Sequence, residues 1–323
     1  MNLFEKLYTL IIFSAVVIGI GIGQVELIRT NAESFIVPLL VAMLYITFLQ
    51  VPMEEIKKSF RNITFSSTSV IINFAWTPIL AWLLAMVFLG DHTALYIGFI
   101  MLMVTPCTDW YLIFTGIAKG NVALSTAILP LNLLLQVLLL PIYLLIFCGT
   151  TDVIELRFLV ESILIVLFIP LILSFLTKWL FRNKQQSREN FISKLSLYPI
   201  IFLSLAIVAM FASQGQLLLD NLDLMWKIII PILLFFIVNL FVSQKVGQLM
   251  RFPNSDRVSL SLTTLARNSP IALAIAVTAF PDQPLIALVL VIGPLLELPI
   301  LAIVTQFLLF ISNSKYKHKE STH

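Results

Sequence analysis

Thr105, Pro106, Cys107, Thr108 and Asp109 stand together in the stretch VTPCTDWYL: two hydroxyls, a proline, a thiol and a carboxylate within a run that is otherwise apolar from Thr93 to Gly116. A second stretch, LARNSPIALA, sets Arg267, Asn268 and Ser269 directly before Pro270. Each carries a hydroxyl residue followed at once by proline, Thr105-Pro106 and Ser269-Pro270, 164 positions apart. Proline removes one helical hydrogen bond and crowds the preceding turn, whereas Ser or Thr before proline suits an N-cap and first helical position. Both runs therefore predict two half-helices joined by a short unwound piece. Such a break presents backbone N–H groups and a positive helix end, which suit a polar or anionic solute, and inside a membrane it is tolerated only where protein or a watery cavity surrounds it.

The side chains extend that chemistry. Cys107, second residue of its predicted half-helix, is a soft ligand suited to neutral As(OH)3 or else a small buried apolar residue. A lone charge in a span costs about 2.5–3.5 kcal/mol on the mildest scale. Asp109 and Arg267 are therefore expected to pair across the crossing, either permanently or with Asp109 as a proton carrier whose protonation frees Arg267 for an anion. Asn132 and Gln136 are four apart and share a helix face, where they line a site or bond neighbouring helices. Thr105, Thr108, Asn268 and Ser269 offer oxygens at the two breaks, as ligands or as caps. Glu297 lies between Gly293-Pro294 and Pro299; a break or kink is expected there, with Glu297 lining the cavity or partnering Arg267. Asn73 and Gln214 are peripheral candidates. The candidate substrate-binding set is thus Thr105, Cys107, Thr108, Asp109, Asn132, Gln136, Arg267, Asn268, Ser269 and Glu297, with no catalytic and no metal residues.

The elements that hold these residues are apolar throughout. Hydrophobic residues make up 59% and charged residues 11% of the 323, and the mean hydropathy is +1.02, against roughly 25% charged residues in an ordinary soluble domain. This composition specifies an integral membrane protein. Runs of about 20 apolar residues fall near 8–28, 34–51, 66–89, 93–117, 121–147, 156–180, 194–214, 225–248, 258–280 and 284–311. They are too long and continuous for barrel strands. The first run exceeds the apolar region of a signal peptide and lacks a small-x-small site, so it is expected to remain as a span. Cys107 and Cys148 form neither a disulfide framework nor a zinc spacing. Walker A, H-E-x-x-H and G-x-S-x-G patterns are absent from the sequence, and Asp109 has no second aspartate beside it for intramembrane catalysis. No enzyme and no cofactor are expected, beyond a coupling ion, H+ or Na+.

Basic residues orient the chain. Of the 20 Lys and Arg, only Arg29, Arg157 and Lys227 fall on one side of the alternating loops and Arg267 within a span; all others fall on the opposite side. The positive-inside rule then puts both termini in the cytoplasm of a multi-pass cell-membrane protein. The net charge of +3 reflects loops facing anionic lipid rather than nucleic acid. The ten runs make two sets of five, and the longest polar connection, Lys178 to Lys194, follows the sixth run. An odd number per set inverts the second set, the arithmetic of an inverted-repeat transporter. By residue range, 1–180 holds the first repeat with the start of the second, and 181–323 the remaining spans with a basic tail.

The segment from Thr105 to Tyr143, with its Pro-Cys-Thr, its Gly120-Asn121 and the later Asn132, together with the ARNSP stretch and the Ile292-Gly293-Pro294-Leu295-x-Glu297-x-Pro299 pattern, resembles the bile acid:sodium symporter superfamily, and more closely its arsenite efflux permease branch. FASQG, Phe211 to Gly215, matches the end of a seventh span in that branch. The resemblance implies an all-α, ten-helix fold of two inverted five-helix repeats in which broken fourth and ninth helices cross. It implies a panel (8–51 and 156–214) moving against a core (66–147 and 225–311). The family's ninth-span glutamate corresponds to Ala272, with Arg267 just before the break and a carboxylate at Asp109, so protons through Asp109 fit as coupling ion better than sodium. The expected function is a secondary active transporter exporting arsenite or a similar small solute by alternating access. The alternatives are a proton- or sodium-coupled organic anion transporter and a passive channel or facilitator. Partners are then a small-molecule or oxyanion substrate and the lipid bilayer, with no nucleic acid.

Overall fold

A computed structural model describes residues 3–51, 62–107, 110–149, 161–162, 164–181, 185–195, 197–220 and 222–320. The apolar runs fold as helices because hydrocarbon offers no partner to a backbone N–H or C=O, and a helix satisfies both within one segment. In chain order these are α1 (Leu3–Ile22) and α2 (Glu26–Gln50), α3 (Ile63–Leu89), then α4 (Thr93–Met103), α5 (Trp110–Ile117) and α6 (Val122–Cys148). After α7 (Leu164–Leu180) come α8 (Gln185–Lys194), α9 (Tyr198–Asp220), α10 (Leu222–Leu249), α11 (Asn254–Leu265), α12 (Ser269–Ala279) and α13 (Pro284–Glu320). Among the described residues, six helical stretches are long and apolar enough to cross a membrane: α2, α3, α6, 190–216 within α8 and α9, α10 and α13. Leu10–Ile22 of α1, α4, α7 and α12 are shorter apolar helices. The protein is an all-helical, multi-pass membrane protein.

Three local outcomes differ from expectation. The second helix starts at Glu26 rather than 34, so Arg29 lies in its second turn and not in a loop. The polar start is tolerated because Thr30 and Asn31 bond back to the carbonyls of Glu26 (2.8 Å) and Leu27 (2.7 Å). The polar connection after the sixth run contains a helix of its own, α8. The tenth run neither breaks nor stops at Pro294 or Pro299, and α13 passes through both. Each proline removes one hydrogen bond from a helix packed against α4 and α12, and a membrane helix survives that loss.

Two helices carry a wider, π-type turn, Ile72–Trp76 in α3 and Leu164–Phe168 in α7, and each precedes a proline, Pro78 and Pro170. Proline cannot bond the carbonyl four residues back and pushes it aside, and a π turn absorbs the displacement. In α3 the carbonyl so released is that of Phe74, and the Tyr143 hydroxyl of α6 donates to it at 2.6 Å.

The helices form two packed groups. α9 runs along α2 and α1, and α7 along α2; α10 packs on α11 and α3, and α13 on α4 and α12. The second group can approach closely because small residues face the contacts. A Cβ added at Gly98 of α4 would stand 3.0 Å from the Ile286 carbonyl and 2.9 Å from the Val289 Cβ of α13.

Candidate functional site

The second group is built round the two proline breaks. α4 ends at Met103 and α5 begins at Trp110; α11 ends at Leu265 and α12 begins at Ser269. From Val104 to Cys107 and from Ala266 to Asn268 the chain is unwound, and the two unwound pieces meet. Pro106 and Arg267 face each other as an antiparallel bridge. The Cys107 N–H donates to the Ala266 carbonyl at 2.9 Å, and the Asn268 N–H donates to the Thr105 carbonyl at 2.7 Å. Each break supplies the backbone partners the other has lost, as buried peptide groups require.

Capping at the breaks differs in detail from the Ser/Thr-Pro expectation. On α12 the cap is Asn268, whose side-chain oxygen accepts the Ile271 N–H at 3.3 Å; Ser269 is already helical, and its hydroxyl has no partner among the described residues. A planar amide reaches the N3 amide from an Asn cap as well as a hydroxyl does from a Ser cap, and Pro270 then falls within the first turn. On the other break, Thr105 closes the preceding helix instead of opening the next one. Its hydroxyl lies 3.0 Å from the Met101 carbonyl and 3.1 Å from that of Leu102, with the Asn268 carbonyl at 3.3 Å. Cys107 is accordingly an extended residue of the crossing, 3% exposed, rather than the second residue of a helix. Thr108 and Asp109 lie outside the described residues, so the expected pairing of Asp109 with Arg267 does too.

Arg267, 2% exposed, is the charged centre of the site. Its Nε donates to the Leu265 carbonyl at 3.0 Å, its Nη1 to the Met103 carbonyl at 2.9 Å, and its Nη2 to the Asn73 side-chain oxygen at 3.2 Å and to the Thr264 carbonyl. The guanidinium also lies 5.4 Å from the centre of the Phe235 ring, a cation–π distance. Glu297 of α13 takes the backbone N–H of Arg267 at 2.8 Å. Two carbonyl-bearing helix ends, α4 and α11, thus converge on one cation, as the negative ends of helix dipoles favour. α13 comes close enough to deliver Glu297 because Gly293 has no side chain. A Cβ there would stand 2.7 Å from Leu102 and 2.8 Å from the Ser269 hydroxyl.

α6 packs against α3, α4, α5 and α11 and carries Asn132 and Gln136, both fully buried. All four polar atoms of these two amides lack a hydrogen-bond partner among the described residues. The same holds for the Ser69 hydroxyl and the Trp76 indole N–H of α3 and for the Thr263 hydroxyl of α11. Buried polar groups are normally bonded, and unmet ones call for water, an ion or a solute.

Sequence reasoning underrated the helices beside the breaks. Asn73 orients itself by donating to the Thr263 carbonyl (3.4 Å) while its oxygen faces Arg267. Asn239 of α10 donates to the Thr264 carbonyl at 2.7 Å and to the Thr77 hydroxyl at 3.3 Å. The signal was a lone asparagine in each of two apolar runs, IINFAW and IVNLFV, where an amide is costly unless bonded. Gln214 lies apart from the crossing, beside Glu33, Val277 and Phe280 in a small cleft where α9, α2 and α12 meet.

With that geometry in place, the comparisons agree on one family. Residues 37–221, more than half of the chain, match the model of the Sodium Bile acid symporter family. The chain is 24% identical over 279 residues to the arsenical-resistance protein Acr3 of Corynebacterium glutamicum, covering 81% of this chain and 74% of that protein. It is 21% identical over 329 residues to the Acr3 of Alkaliphilus metalliredigens, covering 93% and 91%. A third relative, the uncharacterized transporter slr0944 of Synechocystis, is 22% identical over 338 residues, covering 95% and 88%.

Proposed function

The chain belongs to the sodium bile acid symporter family, and on that footing we propose that this membrane transporter is a secondary active exporter of a small, uncharged polyhydroxy solute, with arsenite as the leading candidate. The observation that carries the substrate class is a pair of unmet amides on α6, which packs on α4, α5 and α11: Asn132 and Gln136 offer two donor groups and two acceptors, buried and without protein partners among the described residues. A neutral As(OH)3 both donates and accepts, so amides recognise it without a net charge. Cys107, buried at the crossing, adds a soft sulfur, and two relatives carry arsenical resistance in their names.

Alternating access is the mode this packing supports. α1, α2, α7 and α9 form one body and the helices of the crossing form another, so the site lies in the body that also holds both breaks. The pairing of two broken helices from opposite halves of the chain supports a ten-span inverted repeat, with both termini on the cytoplasmic side of the cell membrane. A carboxylate-bearing anion is the second candidate, favoured by the N-terminus of α12 opening into the crossing beside the unpartnered Ser269 hydroxyl.

Everted vesicles loaded by an imposed proton gradient test the function directly. Arsenite accumulation in wild type that is lost in Cys107→Ser is the expected result. No arsenite movement, with flux of a small carboxylate that survives Cys107→Ser, would shift the substrate to the anion class.

A further inference from the structure

Arg267 holds its charge in a setting built for a free ion. Four oxygens surround the guanidinium: the carbonyls of Met103, Thr264 and Leu265 and the amide oxygen of Asn73. Met103 ends α4, while Thr264 and Leu265 lie in the last turn of α11, where backbone carbonyls have no helical partner. Asn73 is held with its oxygen inward because its nitrogen donates to the Thr263 carbonyl. Converging half-helix C-termini with side-chain oxygens form the kind of cluster that coordinates a monovalent cation in membrane transporters, and oxygen sets of this type suit hard cations. Here that place is taken by a side chain of the same chain, 2% exposed and shielded on one side by the Phe235 ring.

We propose that the Arg267 guanidinium is a tethered cation seated in a cation site formed by the α4 and α11 ends, so that the protein carries its own positive charge at the crossing and uses no free sodium ion there. The seat is a property of the described backbone. Its consequence for coupling rests on the transporter function above. Arg267 then does not serve as the anchor for a substrate anion, since four of its five N–H donors are engaged by the protein. Truncating the side chain leaves three helix-end carbonyls and one amide oxygen turned inward with no positive charge between them, a site that should accept a small cation or a free guanidinium ion.

The test compares wild type, Arg267→Ala and Arg267→Lys in detergent and in vesicles, with sodium, potassium or choline as the chloride salt at constant ionic strength. Melting is followed by a thiol-reactive dye, which reads the buried Cys107 and Cys148 as they become exposed. Wild type is expected to melt at one temperature in all three salts and to move solute equally in sodium and choline. Arg267→Ala is expected to melt lower and lose flux, and to recover both in part with sodium, or with guanidinium chloride below its denaturing range. Arg267→Lys keeps a tethered charge, so its flux is expected to stay independent of sodium. Sodium-dependent melting or flux in wild type would overturn the proposal, as would a folded Arg267→Ala that responds to none of these cations. If Arg267→Ala does not fold, sodium dependence in Arg267→Lys or in wild type still overturns it. Absence of flux in every salt, with wild-type melting unmoved by sodium, would instead count against the transporter function and leave the seat standing.

Discussion

Asn132 and Gln136 differ from the other buried amides of the site in a way that separates binding from stability. Asn73 and Asn239 are bonded to carbonyls of α11, so replacing either by an apolar residue strips partners from a buried backbone and costs about 1–3 kcal/mol. Asn132 and Gln136 have no such partner among the described residues. Asn132→Leu and Gln136→Leu are therefore predicted to leave the melting temperature unchanged or raise it. Each hydrogen bond they would make to a solute contributes about 1 kcal/mol, which corresponds to a loss of roughly five- to tenfold in apparent affinity per variant. Concentration-dependent flux measured beside a thermal melt checks both halves; a drop in melting temperature with unchanged flux would make the two amides structural. The types of these residues, and the i, i+4 spacing that puts Asn132 and Gln136 on one face, were legible in the sequence. Which amides are bonded and which are not was decided by neighbours far away in the chain, such as Thr263 for Asn73 and Thr264 for Asn239.

At the scale of the helix, the two prolines marked the breaks, and the sequence placed them within a few residues, because proline removes a helical hydrogen bond and crowds the preceding turn; at these two sites the facing break supplies the lost backbone partners. The caps were harder to read. Ser269 and Asn268 are adjacent and both suit an N-cap, and the choice of Asn268 followed from its N–H reaching Thr105 on the other break. The uninterrupted α13 is a matching case: its prolines resemble those of the breaks, but α4 and α12 pack along it and it continues as one helix. That packing depends on Gly293. A leucine there would meet Leu102 and the Ser269 hydroxyl at under 3 Å, so Gly293→Leu is predicted to destabilise by about 1–3 kcal/mol through overpacking and to shift Glu297 away from the Arg267 N–H. Detergent melts of Gly293→Leu and Gly293→Ala would show a graded loss; equal stability in both would mean that α13 has room to move.

For the whole molecule, the division into two packed groups makes a mechanical prediction. Gln214 of α9 and Val277 of α12 line one small cleft between the groups, while Leu39 of α2 and Ala209 of α9 line a surface groove within a single group. With Cys148 replaced and the buried Cys107 kept, a cleavable bis-maleimide across Gln214→Cys and Val277→Cys is predicted to abolish flux until the linker is cut. The same linker across Leu39→Cys and Ala209→Cys is predicted to leave flux intact. Full activity with the first pair linked would count against movement between the groups. The sequence by itself determined that this is a helical membrane protein, roughly where its helices lie, and that two of its apolar runs are interrupted, because hydrophobic length, proline and backbone hydrogen bonding act locally. Only the tertiary structure decided that the two breaks pair with each other, that Arg267 is held by three carbonyls and Asn73, and that Asn132 and Gln136 are left unmet. These outcomes depend on which carbonyls and side chains from distant segments come within 3 Å or so of one another, and spacing along the chain carries no record of that.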